Sequence, residues 1–137
     1  MIVKIFDELN NDSMIVRNKV FVEEQGFVDE FDDIDKIATH IIFYDEQPFA
    51  TCRIFKNENN DYVIGRFAVL KECRGRGIGT FMLKRAEEYI KSVGGVNVKI
   101  HAQTRAKLFY EKAGYYAVSE EDYDENVPKK KKKKELL

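Results

Sequence analysis

Residues 62–93 read YVIGRFAVLKECRGRGIGTFMLKRAEEYIKSV: an apolar β-rich run, a basic glycine loop and an amphipathic stretch, in direct succession. The run at 62–70 is almost continuously apolar, which predicts a strand buried on both faces. After the glycines, Ile78, Phe81, Met82, Ala86, Tyr89, Ile90 and Val93 recur at three-and-four spacing and predict a helix with these side chains inward. Gly94 and Gly95 close it, as glycine does just beyond a helix. Strand, glycine loop and helix in this order suit an anion. Glycines let a ligand approach the backbone, and the first helical turn has N–H groups without intrahelical partners. The helix dipole adds to them, such a contact contributing ~0.3–1 kcal/mol when exposed and up to ~2 kcal/mol when partly buried. Arg74 and Arg76 bring charged donors, so the loop fits a diphosphate.

Spacing removes two familiar phosphate binders. A nucleotide-binding P-loop ends in Gly-Lys-Ser/Thr, and Gly79-Thr80 has no lysine before it. A dinucleotide fingerprint needs glycine at its first, third and sixth positions, whereas Gly75 and Gly77 are followed by Thr80 at the sixth.

Outward from this unit the element types alternate. Residues 1–6 (MIVKIF) predict a strand, and Asn11, Asp12 and Ser13 offer caps for a helix to about residue 22, with Val16, Val20 and Ile15 toward its buried side. The stretch 23–35 reads as a loop or a short second helix. Residues 40–44 (HIIFY) and 49–55 (FATCRIF) flank a proline-containing acidic turn and predict a hairpin, with a second polar turn at 57–61. Residues 96–100 (VNVKI) predict a strand, Thr104 a cap for a short helix to about residue 113, and 115–118 a last strand after Gly114. This order gives an α/β or α+β fold with a mixed sheet, not a bundle or a sandwich.

A chain of 137 residues predicts one domain spanning 1–137. The net charge of −1 provides no field for nucleic acid or an anionic membrane, and neither is expected as a partner. Charge is nonetheless clustered: Glu23, Glu24, Asp29, Glu30, Asp32, Asp33 and Asp35 stand together without a base among them, and 129–134 is six lysines. Cys52 and Cys73 form neither a disulfide framework nor a metal-ligand spacing, so no metal is expected. Acids come too early for a signal peptide and no apolar run approaches ~18 residues, so the expectation is a reduced, cytoplasmic protein.

The glycine loop fits Arg-x-x-Gly-x-Gly at Arg74, Gly77 and Gly79, after a strand ending Phe67-Ala68-Val69-Leu70. This resembles the acetyl-CoA-binding motif of the GNAT N-acetyltransferase superfamily. Two further pieces are similar to it: FYEKAGY at 109–115, and VFVEEQG at 20–26 with Ala38-Thr39-His40 downstream, the latter like a subgroup of small bacterial members. The resemblance spans roughly residues 2–118 in element order as well as motif. It implies a single mixed, mostly antiparallel sheet of about six or seven strands flanked by about four helices. It implies acetyl-CoA as co-substrate, held by Phe67, Ala68, Val69, Arg74, Gly75, Arg76, Gly77, Ile78, Gly79 and Thr80, with Ala106 and Phe109 beside it. The acyl acceptor it implies is an amine on a small molecule or peptide, attacked directly in a ternary complex, and a homodimer is compatible with it.

By the same resemblance the Val69 N–H would polarise the thioester carbonyl, a contribution typically of ~2.7–4 kcal/mol. Tyr110 would protonate the departing thiolate; from periodicity alone it is equally a core aromatic, sharing a face with Ala106, Phe109 and Ala113. A base would help because an alkyl amine of pKa ~10.4 is about one part in 10³ neutral at pH 7. Glu24 is the leading candidate, with Glu23, Asp35 and His40 behind it; an exposed carboxylate and a structural histidine are the plain alternatives. The acidic run either attracts a cationic acceptor or is a solvated loop, and Arg17 either orients a ligand or pairs with those acids. Cys73 beside the cationic loop suggests a reactive thiol, though direct transfer does not use one, and Cys52 reads as core. The lysines at 129–134 predict a charged edge strand or a tail touching an acidic partner. Two rivals stand beside the enzyme reading: a non-catalytic CoA-binding sensor or regulatory module, and an interaction protein whose glycine loop is purely structural.

Overall fold

The computed structural model describes residues 1–117, 122–124 and 127–136. Strand β1 (Ile2–Phe6) leads to helix α1 (Asn11–Arg17), a π-helical segment (Asn18–Glu24) and a 3₁₀ turn (Asp33–Lys36). The hairpin is β2 (Thr39–Tyr44) and β3 (Pro48–Lys56), followed by β4 (Tyr62–Val69) and α2 (Ile78–Ser92). Then come β5 (Asn97–Gln103), a 3₁₀ turn (Thr104–Ala106), α3 (Lys107–Lys112), β6 (Tyr116–Ala117), β7 (Asp122–Asp124) and β8 (Val127–Glu135). All strands share one sheet in the order β1-β2-β3-β4-β5-β8-β6, with β7 also on β8. Every ladder is antiparallel except β4–β5. The fold is the expected mixed α+β sheet, but the described residues hold eight strands and three α-helices.

Strand alternation places α1 and α2 on opposite faces of the sheet. His40 and Ile42 of β2 lie opposite Arg53 and Thr51 of β3, and the Thr51 hydroxyl contacts the Ser13 hydroxyl of α1 at 3.3 Å. Thr39 and Phe43, of the alternate parity, face α2: the Thr39 hydroxyl lies 3.1 Å from the Tyr89 hydroxyl, and the Phe43 ring meets Phe81 edge-on. The core between these layers includes Val16, Val20, Ile41, Phe43, Ile54, Ile64, Met82, Leu83, Ala86 and Ile90.

Several boundaries differ from the sequence reading, each for a physical reason. The helix expected to about residue 22 is regular only to Arg17, because the π-helical turns that follow let adjacent Val20 and Phe21 both bury. Its cap is Asn10, whose Oδ1 accepts the Ser13 N–H at 3.0 Å, and Ile15 is exposed. In α2, Leu83 is buried instead of Phe81 and Val93, so the inward stripe is narrower than expected. Strand β4 is mostly half-buried, with only Ile64 and Ala68 fully covered, because one side borders a cleft. The acidic stretch gives only the 3₁₀ turn of a helix, since Glu30 and Asp35 turn inward to arginines.

The lysine segment is neither an edge strand nor a tail. Strand β8 runs between β5 on one side and β6 and β7 on the other, with Gln103 opposite Lys129 and Asn97 opposite Glu135. Backbone pairing does not depend on side-chain type, and β5 needs a partner on the side away from β4. Lys134 shows how one lysine is accommodated: its Nζ lies 3.1 Å from Glu87 and over the Tyr115 ring.

Candidate functional site

Strands β4 and β5 begin as a parallel ladder and then part. Tyr62, Val63 and Ile64 pair with Val98, Lys99 and Ile100, and there the ladder stops. Beyond it β4 stays with β3 as far as Val69, while β5 stays with β8 as far as Gln103. A bulge marks the fork: three steps of β4 from Gly65 to Ala68 oppose two steps of β3 from Arg53 to Thr51. Within it Arg66 takes φ +47°, a left-handed conformation uncommon outside glycine. The parted strands border a cleft of about 1420 Å³.

One backbone donor of β4 is aimed into the opening. The Leu70 N–H donates to the Phe49 carbonyl at 2.9 Å, so by antiparallel alternation Ala50 and Val69 form the non-hydrogen-bonded pair. The Val69 N–H and C=O therefore point away from β3, toward the side β5 has left. The carbonyl accepts the Arg74 Nε–H at 2.9 Å.

The residues singled out for the cofactor converge here. Phe67, Ala68, Val69, Arg74, Gly75, Gly77, Ile78, Gly79, Thr80, Ala106 and Phe109 all line the cleft; Arg76 is exposed and does not. Gly77 adopts φ +75° and directs the chain into α2, leaving the N–H groups of the first turn at the cleft wall. A Cβ on Gly79 would stand 3.2 Å from the Phe109 ring, so glycine there permits α3 to close on the loop. Phe109 and Tyr110 also pack on Phe67, with ring centroids 6.1 Å from it. Tyr110 is buried yet lines the cleft, and burial raises the pKa of its hydroxyl so that the proton is held firmly.

Among the candidate bases only Glu24 reaches the cleft. It is bound to Arg74: two charge-assisted hydrogen bonds of 2.7 Å join the two side chains, and Arg74 lowers the pKa of the Glu24 carboxyl. Glu23 is exposed off the cleft. His40 is fully buried off it, its Nε2 lying 3.2 Å from the Asp35 carbonyl, and burial depresses its pKa. Asp35 is taken by Arg17 (2.7 Å) and Arg53 (2.9 Å).

Asp35 belongs to a network of which the sequence reading offered only the pairing of Arg17 with acids. Arg17 binds Glu30 and Asp35, Arg53 binds Asp32 and Asp35, and Arg66 binds Glu30 and Asp32. Three carboxylates thus meet three guanidinium groups on the α1 face of the sheet. Within the acidic run Glu30, Asp32 and Asp35 are paired to arginines and not free to attract a cation, whereas Glu23, Asp29 and Asp33 are exposed, and Arg17 pairs with acids. Burial pushes Asp35 up, but hydrogen bonds and charge from Arg17 and Arg53 outweigh it and hold the carboxyl at about 2. Arg53 and Arg66 line the cleft and were missed; the signal available was a charged residue after glycine within an apolar strand, a mark of a bulge. Cys52 is core, its thiol pushed up to about 12 by burial, and Cys73 packs partly buried against the core. Among the described residues no His, Cys, Asp and Glu group could hold a metal, and no helix is long and apolar enough to cross a membrane.

The sequence profile of the acetyltransferase (GNAT) family matches residues 4–115. The uncharacterized protein YyaT of Bacillus subtilis is 34% identical over 124 residues, which cover 86% of this chain and 83% of YyaT. Among solved structures, Escherichia coli ElaA superposes with a TM-score of 0.87 at 25% identity, over 97% of this chain and 99% of ElaA. An aminoglycoside 6′-N-acetyltransferase complexed with coenzyme A superposes with a TM-score of 0.76 at 15% identity, over 100% of this chain and 98% of that one. At that identity the likeness is one of fold.

Proposed function

Because the chain belongs to the GNAT acetyltransferase family, we propose that it is an acyl-CoA-dependent N-acetyltransferase whose cleft takes acetyl-CoA and an amine together. The observation that carries this reading is the fork of β4 and β5, which frees the Val69 N–H beside the glycine loop and Tyr110. The cradle suits a diphosphate with a long arm: Gly75 and Gly77 carry no side chain at positive φ, helix N–H groups face the cleft, and Arg74 stands at its mouth. The relative bound to coenzyme A shares this fold.

Acetyl-CoA supplies an acyl group activated as a thioester. The residues of the chain do the rest. The Val69 N–H is the donor for the carbonyl oxygen as it gains charge during attack by the amine. As the C–N bond forms and the C–S bond breaks, Tyr110 O–H gives its proton to the sulfur, its raised pKa keeping that proton available until then, and the extra proton on the new amide nitrogen returns to the tyrosinate by way of water. Glu24, or water beside it, takes the proton from the ammonium once the carboxylate is no longer held by Arg74. The same reading takes 1–137 as one domain and a cytoplasmic setting, with a small-molecule or peptide amine as acceptor.

The test is thermal unfolding with and without acetyl-CoA, with ATP and NADH as controls. A ligand at ~100 times its Kd adds about 2.7 kcal/mol, which raises the midpoint by several degrees. A rise with acetyl-CoA alone supports the reading; no rise, or an equal rise with ATP, removes it.

A further inference from the structure

The wall of the cleft on the α1 face carries the guanidinium groups of Arg53 and Arg66 beside two of their carboxylate partners, Glu30 and Asp32. Arg53 is buried and clamped: Nη1 bonds Asp32 (2.6 Å) and Asp35 (2.9 Å), and Nη2 bonds Asp32 (3.2 Å). Its Nε is buried without a hydrogen-bond partner among the described residues, and it lies over Gly65, which has no side chain to cover it. Arg66 is anchored by Nε to the Glu30 carbonyl (3.0 Å) and by Nη2 to Asp32 (3.3 Å). Its Nη1 has no partner among the described residues, and its side chain, one-fifth exposed, lines the cleft.

Arg66 also sits where a ligand would be placed. It is the second residue after the β4–β5 ladder opens, and its left-handed φ of +47° belongs to the bulge. A non-glycine residue in that conformation is strained, and bulges re-aim side chains. The glycine loop leads into α2 on one face, so the α1 face, where this wall lies, is the side left for a second ligand.

We propose that Arg66 recognises the amine acceptor through an anionic oxygen group, so that the substrate is an amine bearing a carboxylate or phosphate, not a polycation. This rests on the acetyltransferase reading of the same cleft. The guanidinium offers a charged, planar donor, the chemistry suited to a carboxylate or phosphate oxygen. Asp29 also lines the cleft, in no ion pair with an arginine among the described residues, and is the residue that would instead favour a cationic acceptor.

Matched amines separate these cases: lysine against cadaverine, tyrosine against tyramine, and phosphoethanolamine against ethanolamine, each with acetyl-CoA. The expected result is preferential turnover of the anionic member, the first two pairs reporting carboxylate and the third phosphate. Arg66→Gln should then lower that preference, through KM, by about 10–100-fold, as loss of a charge-assisted hydrogen bond does. Acetyl-CoA affinity and the unfolding midpoint of the variant show whether its fold survives; Arg66→Lys, which keeps the charge and loses the planar fork, gives a smaller fall if Arg66→Gln does not fold. Preference for the members lacking an anion, a larger loss from Asp29→Asn than from Arg66→Gln, or no turnover of any pair while acetyl-CoA still binds would overturn the proposal. Failure to bind acetyl-CoA would bring down the transferase reading itself.

Discussion

Arg74 and Glu24, 50 residues apart in the chain, face each other as a bidentate ion pair with both N–O distances 2.7 Å. The pair joins the glycine loop to the end of the π-helical segment at the mouth of the cleft. Both residues had been assigned separate tasks from sequence, one for phosphate and one for the amine. A guanidinium fork that holds a carboxylate on two nitrogens has little left for a phosphate, so the two tasks are coupled.

That coupling gives opposite signs for two substitutions. Glu24→Gln removes the competitor for Arg74 and should tighten acetyl-CoA binding about 1.5- to 5-fold, the range for an exposed pair worth ~0.2–1 kcal/mol. Arg74→Ala should weaken it. Isothermal titration with acetyl-CoA reads both, and weaker binding by Glu24→Gln would show that the carboxylate supports the site instead of competing for it. Turnover by Glu24→Gln should fall despite the tighter binding.

Tyr110 offers a cleaner separation of binding from chemistry. Its hydroxyl is held protonated by burial, and Tyr110→Phe keeps the ring that packs on Phe67 and Tyr115. The expected outcome is a fall in kcat of about 10²–10⁴-fold with acetyl-CoA affinity almost unchanged. Full turnover by the variant would make Tyr110 a core aromatic and nothing more.

Two glycines should respond differently to alanine. At Gly95 a Cβ would lie 2.3 Å from Ile90 and 2.7 Å from Tyr62, so Gly95→Ala overpacks the end of α2 and should cost ~1–3 kcal/mol. At Gly79 the neighbour is the Phe109 ring at 3.2 Å, in the cleft, so Gly79→Ala should act mainly on acetyl-CoA affinity. Comparing unfolding midpoints with acetyl-CoA titrations distinguishes them; equal loss of affinity in both variants would contradict the assignment.

Acid stability should report the network around Asp35. Its folded pKa of about 2 lies below the ordinary value of ~3.9, so its pairing contributes fully above ~pH 4 and is lost as pH falls toward about 2. Glu30 has the opposite sign, since burial raises it and protonation relieves that cost. Asp35→Asn leaves Arg17 and Arg53 short of charge and should destabilise by ~3–5 kcal/mol, lowering Tm by about 10 °C or more. It should also flatten the Asp35 part of the pH profile. A variant as stable as the parent would mean that neighbouring acids already neutralise both arginines.

The sequence by itself determined the strand–loop–helix unit, the hairpin and the mixed sheet. These follow from local rules: apolar runs, helical spacing, and glycines where φ is positive. The motif at Arg74, Gly77 and Gly79 carried the family, and the residues matched for the cofactor line one cleft with the exception of Arg76. Only the tertiary structure decided where β4 leaves β5, because a ladder's end is set by the bulge at Arg66 and by the rival partners β3 and β8. It also decided that Glu30, Asp32 and Asp35 face Arg17, Arg53 and Arg66, and that Glu24 holds Arg74. Charge is legible along a chain, but which charges neutralise each other depends on distances through space, and those pairings span from 13 to 50 residues.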